Sequence, residues 1–164
     1  VPGVQGLERA KKHGIPAVVV NHKDYSDKKA YEAQLLKTID SYSPGLICLA
    51  GYMRIVGQEI IKKYKWKIIN IHPALLPSFS GLHAQRQAIE ARVKESGCTV
   101  HFVDEGCDTG PIILQKTVPV LPGDTEASLS ARILTEEHKL YPKAIQLISE
   151  GRVNIKDRKV IIKE

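Results

Sequence analysis

Apolar and polar positions follow two rhythms along this chain, and the change between them divides it. Val4 to His13 (V-Q-G-L-E-R-A-K-K-H) reads as a helix closed by Gly14. Ala17 to Val20 is a short apolar run with the look of a strand. Ser26 is placed to cap a helix reaching about Ser41, in which Ala30, Tyr31, Leu35, Leu36 and Ile39 recur at helical spacing. After the Pro44-Gly45 turn, Leu46 to Ala50 reads as an apolar strand ending at Gly51. A helix around Gln58 to Tyr64 then leads into a third strand that opens at Lys67. This α-β-α-β-α-β order predicts a parallel sheet with crossover helices. Beyond it the rhythm changes. Pro73 to His83 is a loop, Ala84 to Glu95 a helix, and Cys98 to Asp104 and Ile112 to Val118 are two strands joined by D-E-G-C-D-T-G-P. Asp124 or Thr125 caps a long helix from about Glu126 to Ser149, ended by Gly151. Val153–Ile155 and Val160–Ile162 flank Lys156-Asp157-Arg158-Lys159 as a terminal hairpin. With no internal repeat or linker, a single domain over residues 1–164 is expected.

The third strand carries the first sign of chemistry. Ile68, Ile69 and Ile71 suit a buried strand, but Asn70 and His72 interrupt them, and Pro73 cannot continue a ladder. Residues two apart in a strand face one side, so Asn70 and His72 point together at its carboxyl end, where open α/β sheets bind ligands. Two more polar residues stand where strands end: Arg54 in A-G-Y-M-R and Asp108 in G-C-D-T-G-P. An amide and an imidazolium donate to an oxygen that becomes negative. A carboxylate near the imidazole favours its protonated form and fixes its orientation. Asn70, His72 and Asp108 together are equipment for acyl transfer without a protein nucleophile. No Ser stands in a G-x-S-x-G elbow, and no Cys in a nucleophile motif. Asp108-Thr109-Gly110 matches the D-T-G of aspartic proteases, but that chemistry needs two such carboxylates. His72, His83 and His101 fit no zinc spacing, so no metal is expected.

Composition narrows the class. The net charge of +6 (24 Lys+Arg against 18 Asp+Glu) is spread along the chain. It reads as solvated helix faces, or as steering of anionic small substrates. Only eight residues are Tyr or Phe, and no stacking motif interleaves with the basic ones, which argues against nucleic acid as a partner. No apolar run approaches a membrane span and no signal peptide is visible, so no membrane association is expected. Three scattered cysteines (Cys48, Cys98, Cys107) form no C-x-x-C pair, as suits a reducing cytoplasm.

The segments N-I-H-P-A-L-L-P-S-F-S-G-L-H-A-Q-R-Q-A-I-E and S-G-C-T-V-H-F-V-D-E-G-C-D-T-G-P-I-I-L-Q resemble phosphoribosylglycinamide formyltransferase (glycinamide ribonucleotide transformylase), of the folate-dependent formyltransferases. The resemblance runs from G-L-E-R-A to the terminal hairpin. It implies an α/β fold: a Rossmann-like, mostly parallel sheet, then an antiparallel β-loop-β unit and a long C-terminal helix. It implies transfer of a formyl group from 10-formyltetrahydrofolate, as co-substrate, to the amine of glycinamide ribonucleotide in purine synthesis, without a metal. Its catalytic trio falls on Asn70, His72 and Asp108. Its folate site falls on Lys28, on Met53, Arg54, Ile55 and Val56, and on Asp104, Glu105, Gly106 and Cys107. Glu137 matches its ribose-contacting carboxylate. The implied partners are the two small-molecule substrates, in a cytoplasmic monomer or homodimer. Formyltetrahydrofolate deformylases share N-I-H and the Asp loop but resemble F-L-P-S-F-x-G-A-x-P-Y, where this chain has Leu82-His83. Deformylase activity, or a non-catalytic folate- or nucleotide-binding remnant, is the alternative reading. Two departures stand out. Arg92 occupies a position where relatives usually carry Gly. Family members also open with a strand and a G-x-G-S-N-type loop that holds phosphate on its backbone N–H groups. No such loop is found here, so the chain is expected to lack the family's first strand and to be N-terminally incomplete.

Overall fold

The computed structural model describes residues 3–163. It divides into two compact units, one ending at Gly45 and one starting at Leu46.

In the first unit, α1 (Gln5–Lys12) carries Arg9, Lys11 and Lys12 in its last turn, the favourable end of the helix dipole for cations. A 3₁₀ turn at His22–Asp24 precedes α2 (Lys28–Tyr42). Asp27, not the expected Ser26, caps α2: its Oδ1 accepts the Ala30 N–H at 2.8 Å, and Ser26 Oγ donates to its other oxygen. A carboxylate serves better there because it also meets the positive end of the helix. Tyr31 is the buried residue of α2 and meets the rings of Tyr25 and His22 edge-on. The strand expected at Ala17–Val20 is not formed, and Val18 and Val19 are 55% and 43% exposed. Apolarity alone does not make a strand; the backbone must find a ladder, and this stretch pairs with none of the described strands.

In the second unit, β1 (Ile47–Leu49) is followed by α3 (Gln58–Lys63), β2 (Ile68–His72), α4 (Ala84–Glu90), β3 (Glu95–Phe102), β4 (Ile112–Pro119), α5 (Glu126–Ser149), β5 (Val153–Lys156) and β6 (Lys159–Ile162). The sheet runs in the order β1-β2-β3-β4, with β5 and β6 as a separate hairpin. The mixed α/β class, the antiparallel β-loop-β unit and the long C-terminal helix are as expected. Within the described residues the parallel part is the β1–β2 pair, while β2–β3 and β3–β4 are antiparallel. The expected strand at 17–20 does not widen the parallel part.

Helix α4 stops at Glu90 rather than Glu95. Arg92, where the resemblance expects Gly, adopts φ 52°, a left-handed conformation that ends a helix, and β3 begins three residues later. Thr125 caps α5 in a reciprocal pair with Ser128, while Asp124 receives two hydrogen bonds from the Arg132 guanidinium.

The two faces of the sheet differ. Ile69, Val100, Phe102 and Ile113 form one apolar core with Ala144 of α5, and Cys98 and Val118 form a second with Ala88 of α4 and Leu129 and Ile133 of α5. Burying the Ile, Val, Leu and Phe side chains among these gives on the order of 1.5–3 kcal/mol each. On the other face the register sets Asn70 opposite His101 and His72 opposite Thr99. A β-bulge in β4 opposite Val100/His101 lets Gln115 face Thr99 while Leu114 meets Val100. The α5 residue Tyr141 donates its hydroxyl to the carbonyls of Leu49 (2.8 Å) and Ile69 (3.2 Å), one from each strand of the parallel pair.

Candidate active site

The polar face of β2 and β3 gathers around one carboxylate. Asp108 sits in the loop after β3 with φ 56°, a left-handed conformation that Asp tolerates better than most residues. The loop leaves little room to do otherwise. A Cβ on Gly110 would lie 1.7 Å from the Phe102 carbonyl oxygen, and one on Gly106 would lie 2.0 Å from Thr109 Oγ1. Asp108 Oδ2 lies 3.4 Å from His72 Nδ1 and accepts the Gly81 N–H at 2.9 Å; Oδ1 lies 3.6 Å from His101 Nε2. The His101 ring, the Gly81 N–H and the His72 ring outweigh burial and hold the Asp108 carboxyl down to about 2. It is therefore an anion at neutral pH.

His72 is 4% exposed. Its Nδ1 faces Asp108, and its Nε2 lies 2.8 Å from the Phe79 carbonyl oxygen. Two acceptors, one on each ring nitrogen, are both met only when each nitrogen carries a proton. The Asn70 amide Nδ2 lies 3.4 Å from His101 Nε2. His101 is buried, and its Nδ1 donates to the Phe102 carbonyl at 2.9 Å. That bond leaves Nε2 facing both the amide and the carboxylate.

The structure thus brings together Asn70, His72 and Asp108, and adds two residues that sequence reasoning did not assign to this site. One is His101, which touches both Asn70 and Asp108. The other is Thr99, whose hydroxyl donates to the Ala74 carbonyl (2.6 Å) and accepts the Leu76 N–H (3.1 Å) and a Gln115 amide N–H (2.9 Å). Thr99 fixes the turn that leaves His72. Both are legible in T-V-H-F, where two polar residues stand two apart in a strand just as in N-I-H.

The other candidates are spread more widely. Asp104 lies in the Asp108 loop, where Oδ1 accepts Gly106 N–H (3.1 Å) and Thr109 Oγ1–H (2.8 Å). Glu105, Gly106 and Cys107 are exposed in the same loop. Burial, the Asp108 charge and a contact to the Asp108 carboxylate raise the Cys107 thiol above its ordinary range, which keeps it protonated. Met53, Arg54 and Ile55 are exposed and Val56 half-buried in the loop after β1, with Met53 and Ile55 at 75% and 64%. Glu137 lies on α5, outside the groups bonded around Asp108, and burial raises its carboxyl against a smaller effect of His138. Lys28 belongs to the first unit, where it pairs with Glu32 at 3.4 Å. Among the described residues, no group of three or more His, Cys, Asp or Glu side chains is arranged to hold a metal ion, and no helix is long and apolar enough to cross a membrane.

A buried imidazole between a carboxylate and a carbonyl, with an amide beside it, suits stabilisation of a developing oxyanion. The profile of the formyl transferase family matches residues 1–145. The chain belongs to the formyl transferase family. It is 42% identical to the phosphoribosylglycinamide formyltransferase of Escherichia coli (strain K12), over 92% of this chain and 71% of that protein. It is 49% identical to the trifunctional purine biosynthetic protein adenosine-3 of Drosophila melanogaster over 92% of its length, and spans 11% of that much longer protein. Among solved formyl transferase structures, glycinamide ribonucleotide transformylase 1 from Symbiobacterium toebii matches with a TM-score of 0.97 and 49% identity, over 100% of this chain and 77% of that one.

Proposed function

We propose that the protein transfers a formyl group from 10-formyltetrahydrofolate to the amine of glycinamide ribonucleotide in purine biosynthesis. The observation that carries this reading is the convergence of Asn70, His72 and Asp108 on one face of the sheet, in a chain of the formyl transferase family. The substrate amine attacks the formyl carbon, and the carbonyl oxygen becomes an oxyanion. The adduct collapses as the bond from that carbon to the folate nitrogen breaks. The amine gives up its proton through water, and the folate nitrogen takes one up and leaves as tetrahydrofolate. Asn70 and doubly protonated His72 donate to the oxyanion, while the Asp108 carboxylate, 3.4 Å from His72, stabilises the ring's positive charge and accepts protons through water. His72 Nε2 is bonded to the Phe79 carbonyl, so the oxyanion competes with that carbonyl for the same N–H. The loops holding Met53–Val56 and Asp104–Cys107 are assigned to the folate, and Glu137 to the ribose. No metal takes part.

The test is a two-substrate assay on the purified protein. Formylated ribonucleotide is expected only when both substrates are present. Folate turnover that does not depend on the ribonucleotide would make the protein a deformylase, and folate or nucleotide binding without turnover would make it a binding remnant.

A further inference from the structure

The tip of the terminal hairpin reaches the loop that carries Asp108, and the mechanism above makes no use of it. Lys156 pairs with Lys159, so Asp157 and Arg158 form a two-residue turn, with φ 48° and 60°. Two consecutive left-handed residues suit such a hairpin, but the position favours Asn-Gly, and a long side chain there is strained. Something must favour Arg158 in this place. Its Nη2 donates to Asp104 Oδ2 and, at 3.2 Å, to the Thr109 carbonyl. The opposite oxygen of Asp104 holds the Gly106 N–H and the Thr109 hydroxyl. One carboxylate thus ties together residues 104, 106, 109 and 158, and Asp108 lies inside that tie. The Asp104 side chain is 12% exposed. Although burial opposes it, the Arg158, Thr109 and Gly106 donors hold its carboxyl below the ordinary range.

We propose that Arg158 is a positioning residue, which clamps the 104–109 loop in the shape that receives the formyl donor. This deepens the transferase reading and rests on it. A loop ordered before binding costs the ligand less on arrival, so loss of the clamp weakens donor binding more than it slows chemistry. The Arg158 side chain is 60% exposed, and solvent screening limits the effect.

The experiment compares Arg158→Ala and Arg158→Lys with the parent, by amide hydrogen exchange over residues 103–111 and by steady-state kinetics. Arg158→Ala is expected to speed exchange in that segment, including at Gly106. It is also expected to raise KM for the formyl donor by about three- to tenfold, with kcat and KM for the ribonucleotide within about twofold. Arg158→Lys, which keeps a charged donor, is expected to restore most of both. Unchanged exchange and donor KM in Arg158→Ala would overturn the clamp, as would equal rises in KM for both substrates. A parent protein without formyl transfer, whose exchange still responds to Arg158→Ala and recovers in Arg158→Lys, would sink the transferase reading while supporting the clamp itself.

Discussion

The two faces of the sheet are built from the same strands and put to opposite uses. Ile69, Val100 and Phe102 point toward α5 and are at most 3% exposed. Asn70, His72, Thr99 and His101 alternate with them and point away, and three of these four are as deeply buried, at 4% or less. Burial therefore does not separate structure from chemistry here. The difference lies in what each buried group meets. Apolar side chains meet one another without direction. Each polar one meets a particular acceptor or donor within about 3.6 Å. One face should answer to substitution in stability, the other in rate.

The sharpest trial of this contrast is Phe102→Ala on the apolar side. Removing a ring that packs edge-on against Trp66 should cost about 3–5 kcal/mol in denaturant unfolding. A cost below 1 kcal/mol would mean that the face is not a packed core. Next comes His72→Ala. The oxyanion exists only in the transition state, so formyl transfer should fall by about 100-fold or more, with donor binding little changed. Single-turnover rates comparable to the parent would remove His72 from its role. Thr99→Val tests the boundary between the two faces, because Thr99 is polar yet anchors the turn rather than the substrate. Leaving the Ala74 carbonyl and the Leu76 N–H without a partner should cost about 1–3 kcal/mol. A large loss of rate with no loss of stability would move Thr99 into the chemistry.

The smallest effect concerns pH. The Asp108 carboxyl titrates near 2 when folded, against about 3.9 when unfolded. The unfolded chain therefore binds the proton first as pH falls. The stability Asp108 contributes is fully present above about pH 4 and is lost as pH drops toward 2. Asp108→Asn should flatten the stability curve in that window and leave its slope above pH 5 alone. Equal slopes for variant and parent between pH 4 and 2 would show that the His101, Gly81 and His72 contacts do not stabilise the anion.

Much of this contrast was legible in the residues. The period of two in I-I-N-I-H announces one apolar and one polar face, and Pro73 marks where the strand ends. T-V-H-F carries the same message, but its polar pair becomes meaningful only once the register sets Asn70 opposite His101. Register between β2 and β3 is a long-range property that no local window contains. The same limit explains Ala17–Val20, whose apolar run lacks a ladder partner, and the short α4, ended by a left-handed Arg92 that carries none of glycine's usual signal. Asp27 displaced Ser26 as a cap by one position, within the ordinary slack of helix boundaries. The tie from Arg158 to Asp104 spans 54 residues and rests on a turn geometry that composition does not announce.

The hydroxyl of Tyr141 sets an order of events. It closes on the carbonyls of Leu49 and Ile69, 92 and 72 residues earlier in the chain. During synthesis β1 and β2 leave the ribosome long before that phenol exists, so these two carbonyls cannot receive this donor until α5 has been made. Contacts of such long sequence separation form late and slow the search. The strand that bears Asn70 and His72 is thus made well before the residue whose hydroxyl bonds its Ile69 carbonyl.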